Sequence, residues 1–241
     1  MKLTQFKVLT FDCYGTLIDW ESGIWAALQP LLRANEFKVS REAALAAYGR
    51  IEPEQEHATP DLVYRELLVL VHSRMAKDWG LTSTPELDHA FGYSVPDWPA
   101  FPDTVEALTY LKPHFKLVIL SNVDRQSFAG TNKRLGVAFD AICTAEDVGS
   151  YKPDPRNFTY LEREVANLGL RKADILHTAQ SLYHDHVPAE AAGIARCWIN
   201  RRGETGLGGG ATKPIARMPS IDFQFPTLLA MASAHRGEIV G

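Results

Sequence analysis

The sequence has few cysteines and no long hydrophobic run. Its three cysteines, Cys13, Cys143 and Cys197, are an odd number and include no Cys-x-x-Cys pair. This pattern argues against a disulfide framework and against a zinc site, and it favours a reducing compartment. No apolar stretch reaches the roughly 18 residues that a membrane-spanning helix needs, and the N-terminus has no apolar signal segment. We therefore expect a cytoplasmic protein that makes no membrane contact.

The sequence also lacks a strong charge of either sign. It has 25 Lys and Arg residues against 29 Asp and Glu residues, for a formal charge of -4, and it has no long basic run. A nucleic-acid partner is therefore not expected. A chain of 241 residues can bury a sizeable core, either as one large domain or as one domain with a smaller insertion.

Short β-rich runs alternate with helical segments over most of the chain. This alternation is typical of a parallel sheet with helices on both faces. It predicts an α/β fold, a Rossmann-like doubly wound parallel sheet, in which ligands bind outside the carboxyl ends of the strands. The predicted strands are 6–12, 116–122, 141–147, 173–180 and 195–201, and the predicted helices are 103–114, 125–137, 155–169 and 186–194.

The region after the first strand breaks this alternation. Amphipathic segments at 21–35, 40–51 and 59–80 have no convincing strand between them, which predicts an all-helical cap at 20–97 inserted into a core made of 1–19 and 98–241. The apolar helix at 62–75 belongs to the core of this cap or to a homodimer seam, and both alternatives stay open. The Gly-rich segment 201–215 lacks the spacing of a phosphate-binding loop and is expected to be a mobile surface loop.

Polar side chains follow four of the predicted strands at the point where each strand ends. They would meet in one crevice if the sheet is parallel. Each one alone has an ordinary structural explanation, as a helix N-cap, a turn residue or a solvated loop residue. In chain order these residues are Asp12, Tyr14, Thr16, Ser121, Asn122, Lys152, Gln180, Ser181 and Asp185.

The joint order of these motifs resembles the haloacid dehalogenase superfamily of hydrolases. The order is D-x-Y-G-T-L, then S-N, then K-P, then S-x-x-x-D, and a helical cap follows the first motif. The resemblance implies that Asp12 is a nucleophile, that Ser121 and Lys152 hold the charged groups, and that Asp185 serves a metal or a water. Lys152 would keep Asp12 ionised, and the Thr16 hydroxyl would hold its second oxygen.

Two substitutions favour carbon–halogen cleavage over phosphoryl transfer within this superfamily. Its phosphatases carry a second Asp two residues after the nucleophile, where this chain has Tyr14, and a phenol is a poor proton donor for that task. Gln180 stands where the first metal-binding Asp would be, so we expect no metal and no other cofactor. A Mg²⁺-dependent phosphatase of small monoesters remains the alternative, and a non-enzymatic binding module is a third reading.

The motifs look most like those of the L-2-haloacid dehalogenase branch. In that branch Asp12 would displace halide from C2 of a short 2-haloalkanoic acid, and a water activated by Asp185 would hydrolyse the resulting ester. The expected products are a 2-hydroxy acid and halide. The absence of an Asn from "QSLYHD" and the presence of Phe158 depart from the branch and leave the exact substrate open.

The resemblance also implies residues that bind substrate and halide. Asn122 matches the branch directly, and an Arg from the cap completes the halide site. We expect Arg50 in this role, and the alternative is an exposed helical Arg paired with Glu54. The other candidates for the cap Arg are Arg41 and Arg65, and the candidates for the walls of an apolar pocket are Trp20, which is equally suited to core packing, Tyr183 and His184.

Overall fold

Six parallel strands form the centre of the molecule in the computed structural model, which describes residues 1–203 and 215–241. The strand order is β3-β2-β1-β4-β5-β6. Five strands confirm the sequence prediction, whereas the short edge strand β6 was not predicted. The strands are β1 Val8–Phe11, β2 Lys116–Ser121, β3 Ala141–Thr144, β4 Ile175–Ala179, β5 Ala195–Ile199 and β6 Phe223–Phe225.

The central strand β1 sets the position of the predicted site. All four of its residues are buried, as expected for a strand with helices on both faces of the sheet. Phe11 is in register with Ile119 of β2 and with Thr178 of β4. The residues that follow these three strands therefore emerge at one edge of the sheet.

Helices cover both faces of the sheet, which confirms the predicted α/β doubly wound class. The predicted helices form within the expected ranges. Two further core helices were not predicted, namely a C-terminal helix that closes the core and the short helix Ala145–Val148, which replaces the end of the strand predicted over 141–147. The core helices are α5 Thr104–Leu111, α6 Arg125–Leu135, α7 Ala145–Val148, α8 Arg156–Asn167, α9 Val187–Ala191 and α10 Leu228–Val240.

Four α-helices are inserted between β1 and the core helix α5. Three were predicted and the fourth was not, and they are α1 Trp20–Ala34, α2 Arg41–Ala58, α3 Tyr64–Asp78 and α4 Pro85–Gly92. Side-chain caps from Asp19, Ser40 and Thr84 start α1, α2 and α4, because their oxygens accept hydrogen bonds from otherwise unpaired backbone N–H groups. The chain leaves and re-enters the core side by side, since Ile18 pairs with Ala100. The exact boundaries of the cap stay a prediction.

The apolar side of α3 packs inside the protein. Leu67, Leu68, Val71 and Met75 are all fully buried, and α3 contacts α2 and α4. Core packing therefore accounts for this side of the helix, and the homodimer stays a prediction.

Several other expectations concern the chain as a whole. The cysteines are free and buried. Within the described ranges no helix combines the length and apolar character needed to span a bilayer. Most of the Gly-rich segment expected to be a surface loop, 204–214, lies outside the described residues.

Candidate active site

A tight turn after β1 fixes the carboxylate of Asp12. Thr16 donates its hydroxyl hydrogen to Asp12 Oδ2 at 2.7 Å, and the backbone N–H of Gln180 donates to the same Thr16 oxygen at 2.9 Å. Gly15 makes the turn possible with a φ of 96°, and a Cβ there would lie 3.2 Å from Nε1 of Trp20. The first and fourth motifs are therefore joined through Thr16, and the predicted contact between Thr16 and Asp12 is present.

Lys152 connects the nucleophile candidate to the second acid. Its Nζ lies 3.0 Å from Asp12 Oδ1, 2.7 Å from Asp185 Oδ1 and 3.0 Å from the carbonyl oxygen of Leu120. Burial lowers the pKa of Lys152, but the charges of Asp12 and Asp185 outweigh burial and raise the pKa to about 12. These contacts use all three ammonium hydrogens. Lys152 is therefore charged and has no hydrogen left to donate.

His177 holds Asp185, and Thr10 in turn holds His177. Nε2 of His177 lies 2.9 Å from Asp185 Oδ1, and Nδ1 of His177 lies 2.8 Å from the Thr10 hydroxyl. An ionised carboxylate only accepts hydrogen bonds, so Nε2 carries the hydrogen, and in the neutral ring Nδ1 accepts from Thr10. Burial opposes ionisation of Asp185, but Lys152 and His177 outweigh it and lower its pKa. Asp185 is therefore held as a carboxylate.

The pKa of Asp12 is raised above its ordinary value, whereas that of Asp185 is lowered. Burial raises the pKa of Asp12 and the charge of Asp185 adds to the rise, while Lys152 and the Thr16 hydroxyl oppose it.

Burial also raises the pKa of Tyr14 well above 10. The Tyr14 hydroxyl lies 3.0 Å from the Thr131 hydroxyl, so it is hydrogen-bonded to a helix of the core. Tyr14 is therefore poorly suited to protonate a leaving group at neutral pH.

Asn122 holds the segment that carries Lys152. The backbone N–H of Lys152 donates to Asn122 Oδ1 at 2.7 Å, and Asn122 Nδ2 donates to the Lys152 carbonyl and to Glu56 Oε1, both at 3.1 Å. Asn122 therefore lies in the cleft with both amide hydrogens engaged, and its role toward halide stays a prediction. Two other buried polar atoms of the cleft, the Ser121 hydroxyl and Asp185 Oδ2, have no hydrogen-bond partner among the described residues.

The cap closes the cleft with carboxyl groups and phenols. Glu52 and Glu56 lie one helical turn apart on α2, and both are buried. The Tyr64 hydroxyl donates to Glu52 Oε1 at 3.2 Å and lies 3.1 Å from the Tyr48 hydroxyl. Burial raises the pKa of Glu52 to about 7 despite the Tyr64 hydrogen bond. Burial also raises the pKa of Glu56, and the charge of Glu52 adds to this effect.

The structure brings most of the predicted residues together in this cleft. Its lining includes seven of the ten predicted site residues, together with Trp20 from the first turn of α1. Trp20 also packs against the hydrophobic core and the ring of Tyr48, so the structure is consistent with both interpretations of Trp20. The predicted residues that line the cleft are Asp12, Tyr14, Ser121, Asn122, Lys152, His184 and Asp185, with Thr16 directly behind Asp12.

The placement of a cap arginine in the site was wrong. Arg50 Nη2 lies 2.7 Å from Asp78 Oδ2, and the Arg50 side chain is 55% exposed. The alternative arginines are engaged elsewhere, since Arg41 donates to Ser22 Oγ at 3.0 Å and Arg65 pairs with Asp124 at 2.6 Å. The helical periodicity of α2 explains the error, because the face toward the cleft carries Glu52 and Glu56, and position 50 points away from it.

Tyr183 and His184 occupy neighbouring positions with different surroundings. They follow Ser181 on a π-helical turn, Leu182–His186. His184 lines the cleft, and its Nε2 lies 3.9 Å from Glu56 Oε2. Tyr183 lies instead on an adjacent cavity next to Glu56 and Lys152, so its predicted place in the pocket is corrected to this neighbouring cavity.

Four residues of the site were missed from the sequence, namely His177, Glu52, Glu56 and Tyr64. His177 lies in the buried strand "ILHTA", and an ionisable ring in such a strand was the available signal. Glu52 and Glu56 follow Tyr48 at intervals of four residues on a helix. Residues four apart lie on the same side of a helix, so two carboxyl groups on the side of a buried aromatic residue indicate a buried acidic face.

The donor set does not match what Mg²⁺ prefers. Asp12 and Asp185 both bind the Lys152 ammonium, and the positions that would add oxygen anions hold Tyr14 and the neutral amide of Gln180. Across 1–203 and 215–241, no cluster of three or more His, Cys, Asp or Glu side chains is arranged to hold a metal ion.

Comparison with known proteins relates this geometry to a family. The family model for haloacid dehalogenase-like hydrolases matches residues 6–178. An (S)-2-haloacid dehalogenase from Pseudomonas putida is 27% identical over 214 residues, which cover 83% of this chain and 87% of the relative. A phosphoglycolate phosphatase from Mesorhizobium japonicum is 29% identical over 194 residues, which cover 78% of this chain and 79% of the relative.

A solved structure supports the fold over nearly the whole chain. The L-2-haloacid dehalogenase from Xanthobacter autotrophicus, with chloropropionic acid covalently bound, superposes with a TM-score of 0.79 at 18% identity and covers 96% of this chain and 99% of its own. The family match spans well over half of the sequence and includes the first motif and the strand beneath the last. This protein belongs to the haloacid dehalogenase-like hydrolase family.

Proposed function

We propose that this protein hydrolyses a carbon–halogen bond at C2 of a short acid or acyl compound through an ester on Asp12. The observation that carries the proposal is the contact of the Lys152 ammonium with both Asp12 and Asp185, at 3.0 and 2.7 Å. A carboxylate is a weak nucleophile in water, and it becomes effective when it is held, oriented and shielded from solvent. Asp12 is 6% exposed.

The first step is a displacement at carbon. An oxygen of Asp12 forms a bond to C2 while the bond from C2 to the halogen breaks, and the halide leaves with the bonding electron pair. This step transfers no proton, so it tolerates a Tyr at position 14 and a Gln at position 180. The covalent complex of the Xanthobacter autotrophicus relative is in keeping with such an intermediate here.

The second step returns the free enzyme. A water oxygen adds to the ester carbonyl carbon of Asp12, and one of the two water protons passes to Asp185. The bond from that carbon to the ester oxygen then breaks, the departing alkoxide of the 2-hydroxy product takes that proton back from Asp185, and the second water proton leaves the Asp12 carboxyl for solvent. Asp185 Oδ2 is a buried acceptor with no other partner among the described residues, which suits it to receive the proton.

The proposed reaction needs no metal. A halide leaving group is stable as an anion, and Lys152 already neutralises one of the two carboxylates. Halide release in the presence of EDTA from 2-chloro, 2-bromo and 2-fluoro acids and from their amides tests the proposal. Release from at least one of these compounds, unaffected by EDTA, is expected. No release from any of them would contradict the proposal.

A phosphatase on the same scaffold is the second candidate, because one relative is a phosphoglycolate phosphatase. It predicts turnover of p-nitrophenyl phosphate that depends on Mg²⁺ and is lost with EDTA. We expect no such turnover, because a dianionic ester would meet Asp12, Asp185 and two further carboxyls in the cleft.

A further inference from the structure

The cap wall of the cleft carries acidic side chains. Glu52 lines the same cavity as Asp12 and Lys152, and Glu56 reaches it through its hydrogen bond from Asn122. The cavity is about 50 Å³, room for a short substrate only, since one water needs about 10–15 Å³ on the same measure. A substrate bound to Asp12 must therefore lie close to these cap carboxyls.

The cleft offers no spare positive charge to an anionic substrate. No arginine side chain within the described ranges lines the cavity. Lys152 is 1% exposed and its hydrogens are taken by Asp12, Asp185 and the Leu120 carbonyl. The remaining basic side chain, His184, faces Glu56 Oε2 at 3.9 Å. A carboxylate brought into this cavity would lose its hydration without gaining a cation.

From this arrangement we infer that the preferred substrate is an uncharged 2-halo acyl compound, such as an amide, and that Glu52 and Glu56 set this preference. The inference rests on the proposed function and refines its substrate class. Carboxyl oxygens of the cap accept hydrogen bonds, and an amide supplies N–H donors to match them. The short 2-haloalkanoic acids expected from the family resemblance are ionised at neutral pH and become the disfavoured substrates.

The test compares halide release from chloroacetamide and chloroacetate by the wild type and two variants. We expect kcat/KM for chloroacetamide to exceed that for chloroacetate by at least about tenfold. In Glu52→Gln, which keeps an oxygen to accept from Tyr64, this ratio should fall roughly tenfold through faster turnover of chloroacetate, because one buried like charge is removed. Comparing ratios between proteins cancels the intrinsic reactivity of the two compounds.

Glu54 provides the matched control on the same helix. It is 53% exposed and paired with Arg74 on the outside of the cap, so Glu54→Gln removes the same charge without reaching the cavity. Its ratio should equal that of the wild type. An equal fall in Glu54→Gln and Glu52→Gln would overturn the inference, because net charge and not the cleft would then set the preference.

Inhibition of the wild type supplies a second measurement that needs no variant. Acetamide should compete with chloroacetamide at lower concentration than acetate does, and the gap should widen from pH 6 to pH 8 as Glu52 ionises. The titratable groups that face Glu52 are Tyr48, Tyr64, Tyr151 and Glu56, with Asp12, Lys152, His184 and Asp185 on the other walls of the cavity. Faster turnover of chloroacetate with tighter binding of acetate would refute the inference while the proposed function stands. No halide from either compound or from the wider panel would refute the proposed function itself.

Discussion

The two walls of the cleft differ in how their charges are balanced. On the core wall, Asp12 and Asp185 share the Lys152 ammonium, and His177 supports Asp185. On the cap wall, Glu52 accepts a hydrogen bond from a phenol and Glu56 from an amide, and His184 Nε2 lies 3.9 Å from Glu56 Oε2. A buried carboxylate keeps its charge when a cation lies against it, whereas burial alone raises its pKa. The core wall therefore holds groups suited to ionised chemistry, and the cap wall holds the two acids to which we assign the substrate preference.

Removing the nucleophile should have the largest effect on activity. Asp12→Asn keeps the shape of the side chain and its hydrogen bond from Thr16, but an amide cannot attack carbon in the same way. We expect kcat/KM for halide release to fall by roughly 10³-fold or more. A chloride-release assay measures this fall, and a melting curve that matches the wild type shows that the variant is folded. Activity within tenfold of the wild type would remove Asp12 from the mechanism.

Removing the shared cation should break the balance of the core wall. Lys152→Met leaves two buried carboxylates facing each other, and loss of one partner of a buried ion pair costs about 3–5 kcal/mol of unfolding free energy. Urea unfolding measures this. Lys112→Met is the control, because Lys112 pairs with Asp140 nearer the surface and should cost about 1 kcal/mol or less. Equal losses in the two variants would contradict the importance that we give to Lys152.

Replacing His177 should sharpen the distinction between the two chemical steps. His177→Leu removes one of the two donors to Asp185 Oδ1 without touching Asp12. We expect ester hydrolysis to slow roughly tenfold or more while ester formation changes little, so halide appears as a burst followed by a slow phase. Rapid-mixing kinetics measure the burst. His177→Gln keeps a donor and should partly restore the slow phase. A uniform loss of both phases in both variants would indicate a structural role only.

Arg50→Ala should have the smallest effect. Its exposed pair with Asp78 contributes about 0–1 kcal/mol to folding, and the side chain lies outside the cleft. We expect kcat/KM within roughly twofold of the wild type and a nearly unchanged melting temperature. A large rise in KM for chloroacetate would show that Arg50 reaches the substrate after all.

The core wall could be read from the sequence because strand position fixes it. Parallel strands in register bring their carboxyl ends to one edge, so Asp12 and Ser121 are placed by the pattern of apolar runs alone. Lys152 and Asp185 lie on turns, and the order of the motifs supplied what strand position could not. The short strand β6, Phe223–Phe225, was missed because three residues carry too little periodicity to recognise.

The cap wall could not be read in the same way. Which side of α2 faces the nucleophile depends on how the cap packs on the core, and local spacing does not determine that packing. Arg50 was chosen by its distance along the chain from Asp12, whereas the helix turns Glu52 toward the cleft and leaves Arg50 outside. The contact of His177 with Asp185 joins two elements and is visible only in three dimensions.

The most direct test of the Asp12 ester is a single turnover in ¹⁸O-labelled water with enzyme in excess, using chloroacetamide and chloroacetate in parallel. Tryptic peptides spanning 8–33 and 173–196 contain Asp12 and Asp185 respectively, and fragmentation by mass spectrometry locates the label within each. The ester mechanism predicts ¹⁸O in the Asp12 side chain, none in the Asp185 peptide, and an unlabelled hydroxyl in the first product released. Label in the product with both peptides unlabelled would mean that water attacks the substrate directly, and it would contradict the ester mechanism.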